Sequence, residues 1–526
     1  MQRAARRTSV LLTAMAVLCG GRAFAATLDQ PVRVDGGLVT GRALPDSAVR
    51  LYAGIPYAAA PVRALRWRPP QPAAKWRGVR AATQFSPVCP QPVYEVRSDS
   101  PPEPQSEDCL YLNVWTAAKD SSERRPVMVW IFGGGFREGS ASRPRYDGAH
   151  LAAQGVVYVN FNYRLGALGF LAHPQLSHES DRHVSGNYGA LDMIALLRWV
   201  RANIAAFGGD PDRVTIFGQS AGSMATNLLT ASPLAKGLFQ RVIGQSGAAL
   251  GANVYTTLKP LAFGEQRGVE FTRPFNAVTA TQLRALPVET LVKAQSGSAV
   301  GLFDPVIDGW FLQEDVRDTF EHGRQNDVPT LVGSTTRESS QLPPAPSAVA
   351  FRAEVAKCYP HGADLLLGVF PAATDSQAKV ARETLANLLL GSWSMRGWAR
   401  LQKATGSAPV YLYSFERAPP VSPPRGTYHG ADLYYSFDNL DLFPLPWSAV
   451  DRRLAEVMSS YWVNFATSGN PNGPGLPVWP VYDASADEAM VFGTEVTPRP
   501  LSESIALDLL DRLKAAQRQL PPEQRC

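Results

Sequence analysis

The first segment whose residues could carry out a reaction contains a serine flanked by small residues. Residues 218–222 read Gly-Gln-Ser-Ala-Gly and match G-x-S-x-G, the pattern of a strand-to-helix turn that exposes a serine Oγ. The turn needs small neighbours because the backbone bends too tightly for β-carbons at the flanking positions. A serine hydroxyl held there attacks a carbonyl carbon once a base accepts its proton. The pattern therefore predicts nucleophilic acyl transfer at Ser220.

A glycine triplet upstream is typical of a site that stabilises negative charge. Residues 133–135 are all glycine and follow an apolar run, 127–132. Backbone N–H groups of such a turn can point to the place where the oxygen of a tetrahedral intermediate becomes negative. We expect three donors, the N–H groups of Gly134, Gly135 and Ala221.

The serine also requires a histidine as general base and a carboxylate to orient that histidine. Of the seven histidines, only His361 and His429 lie downstream of the candidate acid Glu338. The order serine, acid, histidine along the chain favours His429. The residues by themselves leave His361 as an open alternative. The other five lie where surface histidine is the default: His150, His173, His178, His183 and His322.

Each of these candidates follows a predicted strand, and helical patterns lie between the strands. Parallel strands buried by helices on both faces read as short apolar runs, and side chains beyond their carboxyl ends converge on one crevice. The sequence therefore predicts an α/β protein with a mainly parallel sheet. The predicted strands are 126–132, 156–161, 214–217, 330–332 and 410–413, and the clearest helix is 191–205.

Seven segments carry family-specific motifs: residues 107–114, 130–136, 186–192, 207–222, 245–247, 305–309 and 428–433. In this order they resemble the type-B carboxylesterase family, which includes cholinesterases and bacterial para-nitrobenzyl esterases. The resemblance implies the α/β-hydrolase fold: a central, mostly parallel sheet flanked by helices, with large insertions that form a gorge-like substrate site.

The resemblance selects among the catalytic alternatives. The histidine of the family occupies a segment like residues 429–432, His-Gly-Ala-Asp, and its acid one like residues 333–338. This implies His429 as general base and Glu338 as the orienting acid. The family glutamate is commonly followed by glycine, whereas Ser339 follows it here. Asp327 and Asp304 are therefore kept as fallback acids, and Asp304 is assigned to the structural loop before Pro305.

Further expectations come only from the resemblance. Ser246 and Asp432 should form a hydrogen-bond network behind the histidine, with ordinary buried polar packing as the alternative. The segment 296–303 lines the acyl pocket in relatives and consists mostly of small residues here, which implies a roomy pocket. The loop that binds choline through a tryptophan in cholinesterases contains Tyr94 but no tryptophan. A choline ester is therefore not the expected substrate.

Four cysteines follow the N-terminal segment. Cys89 and Cys109 would close a short, proline-rich loop by a disulfide, and the resemblance implies the same pairing. Cys526 is the last residue. It could pair with Cys358, link two subunits or stay free, and the sequence leaves these three alternatives open.

The first 25 residues have the organisation of an export signal: three early arginines, an apolar run and an Ala-Phe-Ala cleavage site. We expect cleavage before Ala26 and one hydrolase domain over residues 26–526, periplasmic or secreted. The formal net charge is +5, and four arginines leave with the signal, so the mature chain carries 5 − 4 = +1. This balance gives no argument for nucleic-acid binding.

Together these patterns predict a serine hydrolase that cleaves carboxylic esters through an acyl-enzyme. No cofactor or metal is expected, since neither H-E-x-x-H nor a spaced Cys/His cluster occurs. The expected partner is a small-molecule ester, without nucleic acid or stable membrane insertion, and the protein would be a monomer or homodimer. The alternatives are the same machinery on an amide, carbamate, lactone or specialised ester such as a mycotoxin, and a non-catalytic binding module.

Overall fold

The computed structural model describes residues 27–92, 103–251, 256–296, 303–338 and 347–520. Several sequence predictions fall outside these ranges. They concern the export signal (residues 1–25), Tyr94, most of the acyl-pocket segment (297–302), Ser339 and Cys526.

The described residues form sixteen strands, and eleven of them build one large sheet. The strands are β1 Val32–Val34, β2 Gly37–Thr40, β3 Arg42–Ala43, β4 Arg50–Pro56, β5 Val79–Ala81, β6 Tyr111–Thr116, β7 Arg125–Ile131, β8 Val157–Phe161, β9 Gly209–Gln219, β10 Arg241–Gln245, β11 Lys259–Pro260, β12 Val306–Ile307, β13 Thr330–Thr335, β14 Val410–Phe415, β15 Glu488–Phe492 and β16 Val496–Pro500.

The large sheet has the order β16-β15-β14-β13-β10-β9-β7-β8-β6-β4-β3. Its seven central strands, β15 to β8 in that order, pair in parallel, and antiparallel strands flank them on both sides. Two small sheets accompany it, β1-β2-β5 and β11-β12. The prediction of a mostly parallel central sheet is confirmed.

Helices follow most of the central strands and cover the sheet. The α-helices are α1 Ala149–Ala153, α2 Gly166–Phe170, α3 Pro174–His178, α4 Tyr188–Asn203, α5 Ala221–Ala231, α6 Leu261–Thr272, α7 Ala280–Ala285, α8 Val288–Ser296, α9 Val316–Glu321, α10 Ala348–Cys358, α11 Ala363–Val369, α12 Asp375–Leu390, α13 Ser392–Thr405, α14 Leu433–Ser436, α15 Ala449–Ser468 and α16 Ser504–Arg518.

The central strands are buried along nearly their whole length, as parallel strands covered on both faces must be. All five residues of β8 are buried, and in β7 only the first residue is partly exposed. Trp130 of β7 lies at the centre of an aromatic cluster, with its ring centroid 4.8 Å from Phe217 and 4.9 Å from Phe437. This packing fixes the strand ends that carry the candidate site.

One buried ion pair holds α4 against the loop that follows β8. Arg164 Nε donates to Asp192 Oδ2 over 2.8 Å, and Arg164 Nη2 donates to Oδ1 over 2.7 Å. The Asp192 side chain is completely buried. The carboxylate also accepts the backbone N–H of Arg164, so both charges are satisfied without water.

A second, smaller hydrophobic cluster lies outside the main core. It is formed by helices α10, α11, α12 and α16 together with Trp393 at the start of α13. Helix α13 joins the two regions, because it also packs on β13 and β14.

The predicted disulfide between Cys89 and Cys109 is present, with a Cα–Cα distance of 5.1 Å. Cys358 is also disulfide-bonded, and its partner lies outside the described residues. In the described ranges, no helix is both long and apolar enough to cross a membrane.

Candidate active site

Ser220 occupies a strained turn between β9 and α5. Its φ and ψ are 60° and −126°, a region that non-glycine residues rarely adopt and that is found mainly where function requires it. The backbone is so crowded that a Cβ on Gly222 would lie 1.9 Å from the carbonyl oxygen of Ile131. The Ser220 N–H donates to the Gln245 carbonyl oxygen over 2.9 Å. The turn is thereby tied to the next strand of the sheet.

The glycine turn after β7 lies beside this serine. A Cβ on Gly133 would come within 2.8 Å of the Ser220 Cβ. Gly134 and Gly135 have φ angles of 116° and 62°, which side chains disfavour. Gly135 and Ala221 line the same cavity as Ser220. Gly134 lies beside them, and its carbonyl oxygen accepts the backbone N–H groups of residues 137 and 138.

Glu338 and His429, 91 residues apart in the chain, are in direct contact through Glu338 Oε2 and His429 Nδ1. The glutamate follows β13 and its side chain is buried, whereas the imidazole is partly exposed. The other carboxylate oxygen, Oε1, accepts the Thr335 backbone N–H over 2.8 Å. A carboxylate held in this way fixes the ring orientation and the tautomer with the proton on Nδ1, so that Nε2 has a lone pair that can accept a proton.

The loop that carries His429 is fastened to the loop that carries Glu338. Arg337 and Tyr428, the residues immediately before them, form an isolated parallel bridge. The hydroxyls of Thr336 and Thr427 are 2.5 Å apart. These contacts lie next to the catalytic candidates and hold the two loops in register beyond the ends of β13 and β14.

Gln219 also contacts the histidine, and this contact was not foreseen from the sequence. Its Nε2 lies 3.0 Å from His429 Nε2, and the side chain is buried. Because His429 Nδ1 faces the carboxylate, Nε2 is the acceptor and the amide N–H donates. The sequence signal was the variable position inside G-x-S-x-G, which directly precedes the serine.

Asp432 lies deeper, between the histidine loop and the sheet. Its Oδ2 accepts hydrogen bonds from Tyr413 OH over 2.8 Å and from Gln245 Nε2 over 2.9 Å. Burial raises the pKa of this carboxyl above its ordinary value. Ser246 lines the cavity, and its buried hydroxyl has no hydrogen-bond partner among the described residues.

A cavity of about 280 Å³ opens at the serine and the histidine. The side chains of Phe136, Met224 and Leu390 form much of its apolar lining. Two charged residues, Arg137 and Asp304, line it as well. Burial raises the pKa of Asp304 to about 6, and the positive charge of Arg137 partly opposes this increase.

The remaining catalytic alternatives lie elsewhere. His361 is exposed between α10 and α11. Asp327 is exposed before the start of β13, at the opposite end of the strand from Glu338, and accepts hydrogen bonds from Gln402 and Ser407. Asp304, assigned from the sequence to a structural loop, lines the cavity but is not paired with His429 in the described part of the chain.

The chain matches the family model described as "Carboxylesterase family" over residues 29–348 and 370–507. It belongs to the carboxylesterase family. The predicted membership and the α/β-hydrolase fold are thereby confirmed, and the protein is a carboxylic ester hydrolase.

Curated relatives of this carboxylesterase cover most of its length. A fumonisin B1 esterase from Sphingopyxis macrogoltabida is 36% identical over 491 residues, which is 90% of this chain and 88% of the relative. A para-nitrobenzyl esterase from Bacillus subtilis (strain 168) is 35% identical over 472 residues, 86% of this chain and 93% of the relative. A solved structure of a PNB esterase superposes with a TM-score of 0.80 at 33% identity, covering 91% of this chain and 99% of that one.

Proposed function

We propose that the esterase acts through an acyl-enzyme on Ser220, with His429 as general base and Glu338 as the acid that orients it. The observation that carries the proposal is the Glu338–His429 contact, with the imidazole lining one cavity with Ser220. The serine hydroxyl attacks the ester carbonyl carbon while His429 Nε2 accepts its proton. The same nitrogen then protonates the departing alkoxide, which leaves as an alcohol.

The N–H groups of Gly134, Gly135 and Ala221 are proposed as donors to the oxyanion. Two of the three residues line the cavity beside the serine, and the positive φ angles of both glycines let their N–H groups turn away from a regular strand direction. Water then attacks the acyl carbon with His429 as base, and the carboxylic acid is released. This half-reaction returns Ser220 to its resting state.

We also propose supporting roles for Ser246 and Asp432. Asp432, three residues after His429 and directly before α14, binds the side chains of Tyr413 and Gln245 and thereby fixes the start of that helix. Ser246 forms part of the cavity wall. Both roles are positional, because these side chains would support the loop that carries His429 and take no part in bond formation.

The test of the catalytic proposal is release of p-nitrophenol from p-nitrophenyl esters, acetate to decanoate, by wild type and Ser220→Ala. We expect the variant to lose about 10⁴-fold or more in kcat while its melting temperature is retained. A fluorophosphonate probe should label the wild type once per chain, and peptide mass analysis should place the label on Ser220. Esterase activity retained in a folded Ser220→Ala variant would contradict the proposal.

A second candidate substrate is a specialised mycotoxin ester, because one relative at 36% identity is named fumonisin B1 esterase. Incubation with fumonisin B1 followed by mass spectrometry tests it. Loss of an acyl group with wild type but not with Ser220→Ala would support this substrate. Unchanged toxin in the presence of rapid p-nitrophenyl ester turnover would contradict it.

For the whole chain we propose export, with removal of residues 1–25 and a single hydrolase domain over 26–526. The organisation of the N-terminal residues and the Cys89–Cys109 disulfide, a bond typical of oxidising compartments, support this. The intact mass of the protein recovered outside the cytoplasm should correspond to a chain that begins at Ala26.

A further inference from the structure

Asp304 is a carboxylate in the wall of the catalytic cavity that the proposed mechanism does not use. It lines the same space as Ser220 and His429. Among the described residues, nothing donates a hydrogen bond to its side chain or forms an ion pair with it. Burial raises the pKa of this carboxyl, and the positive charge of Arg137 partly opposes the increase. A partly buried carboxylate without such partners is costly to ionise.

The backbone around Asp304 is held firmly. Phe303 is buried, with its ring centroid 4.7 Å from that of Phe271. Val306 exchanges two hydrogen bonds with the Asn187 side chain, over 3.0 and 2.9 Å. The carboxylate is therefore presented to the cavity from a fixed stretch of chain, which is the preorganisation that a recognition group requires.

Asp308, four residues further on and just after β12, shows the contacts of a structural aspartate in the same region of the chain. One of its oxygens accepts the backbone N–H groups of residues 310, 311 and 312, and the other accepts from Asn187. Asp308 thus stabilises the turn, whereas Asp304 has its hydrogen-bonding capacity available to whatever enters the cavity.

We propose that Asp304 binds a protonated primary or secondary amine of the substrate, so that this carboxylesterase prefers esters with an ammonium group over isosteric neutral esters. The inference rests on the proposed function, because it concerns the substrate of that site. An N–H-bearing cation supplies both the charge and the donors that the carboxylate lacks, and charge-assisted hydrogen bonds are the strong ones.

The other charged wall residue does not favour an anionic substrate. Arg137 already has a polar or electrostatic partner, and Asp304 in the same cavity would repel a carboxylate. The remaining wall is largely apolar, with Phe136, Met224 and Leu390. We therefore assign these side chains to the aliphatic part of the substrate and Asp304 to its cationic end.

The test compares esters that differ only in charge. The acyl pair is p-nitrophenyl 6-aminohexanoate and p-nitrophenyl heptanoate; the alcohol pair is 6-aminohexyl acetate and heptyl acetate, measured by acid release at constant pH. The p-nitrophenyl monoester of pimelic acid supplies an anionic probe. We measure the ratio of kcat/KM for the cationic ester to that for its neutral partner in each pair.

In one of the two pairs, Asp304→Asn should lower this ratio by about ten-fold or more, the amount that 1.4 kcal/mol represents, and turnover of the neutral ester should stay within a few-fold of wild type. Asp304→Glu, which keeps the charge, should retain much of the preference. Asp364→Asn removes the same charge from an exposed position on α11 and should leave both ratios unchanged.

The proposal is overturned if Asp304→Asn leaves both ratios unchanged or lowers all activities equally, or if the anionic ester is preferred by wild type. Calorimetry can test the cation site without turnover. It compares the binding of hexylammonium to Ser220→Ala with its binding to Ser220→Ala/Asp304→Asn. A failure of the catalytic proposal would appear as lost or absent neutral-ester chemistry. A failure of this inference would appear as hexylammonium binding that does not depend on Asp304.

Discussion

Replacing Gln219 by glutamate should move the acid limb of the pH–rate profile to higher pH. The wild-type amide lies 3.0 Å from His429 Nε2 and is neutral, so a carboxylate there would place a full negative charge beside the proton-accepting nitrogen. A neighbouring anion stabilises the protonated imidazolium, which is the inactive form of a general base. The enzyme must then reach a higher pH before the base is available.

The size of the effect follows from the distance. Two unit charges about 4 Å apart interact by about 4 kcal/mol at an effective dielectric constant of about 20, which corresponds to about three pH units at 1.36 kcal/mol per pH unit. The side chain at this position is buried, so the new carboxylate loses hydration and part of this energy is cancelled. We expect the limb to move by about one to two pH units.

The assay is kcat/KM for p-nitrophenyl butyrate between pH 5 and pH 10, because kcat/KM reports the ionisation of the free enzyme. Below the limb, activity of Gln219→Glu should fall about ten-fold for each pH unit by which the limb has moved, and the plateau at high pH should stay close to wild type. Gln219→Met removes the hydrogen bond without adding charge and is the matched control. A limb that stays within about 0.3 pH unit of wild type, or moves to lower pH, would refute the reasoning.

Three further predictions concern catalysis and stability. Glu338→Gln should lower kcat by about 10³- to 10⁴-fold, because the imidazole loses the carboxylate that fixes its tautomer; steady-state kinetics measure this. Asp192→Asn should lower the free energy of unfolding by about 3–5 kcal/mol, since it leaves the charge of Arg164 buried and unpaired; urea denaturation measures it. Replacing both Cys89 and Cys109 by serine should cost roughly 3 kcal/mol, the loop-closure value for a separation of 20 residues, seen as a lower urea midpoint.

Matched controls separate these effects from general damage. Asp327→Asn removes a carboxylate that precedes β13, at the end of the strand opposite to Glu338. It should leave kcat within a few-fold of the wild-type value. Arg453→Ala breaks an exposed ion pair with Glu456 and should change stability by less than about 1 kcal/mol. Full activity of Glu338→Gln, or a control effect as large as that of the matching variant, would contradict the corresponding prediction.

The parts of the site that depend on residues adjacent in the chain could be predicted from the sequence. The turn at Ser220 requires glycine on both sides, since a Cβ on Gly218 or Gly222 would collide with backbone atoms, and this steric demand is local. The strands were readable for a similar reason, because burial on both faces restricts them to short apolar runs. β9 nevertheless begins at Gly209, five residues before the predicted start at Val214. These five residues are mostly polar and therefore lack the apolar pattern from which the strand was predicted.

Relationships between distant residues were decided by the tertiary structure. The order of residues favoured His429 but left His361 open, and the resemblance to a family then selected His429. The fold brings His429 to Glu338, while His361 stays on the surface. The Gln219 contact with the imidazole spans 210 residues.

Asp304 and Asp308 show that the contacts of a side chain cannot be predicted from the sequence even for residues close together in the chain. The two aspartates flank the short strand β12, yet Asp308 accepts three backbone N–H groups whereas Asp304 lines the cavity. Which neighbours reach a side chain depends on how separate strands, helices and loops pack around it. The sequence by itself predicted the turn that holds Ser220, the proposed nucleophile, and the class of fold, since both follow from local sterics and burial patterns. Only the tertiary structure decided which polar groups meet in the cavity, because hydrogen bonding and desolvation depend on positions in space rather than on spacing in the chain.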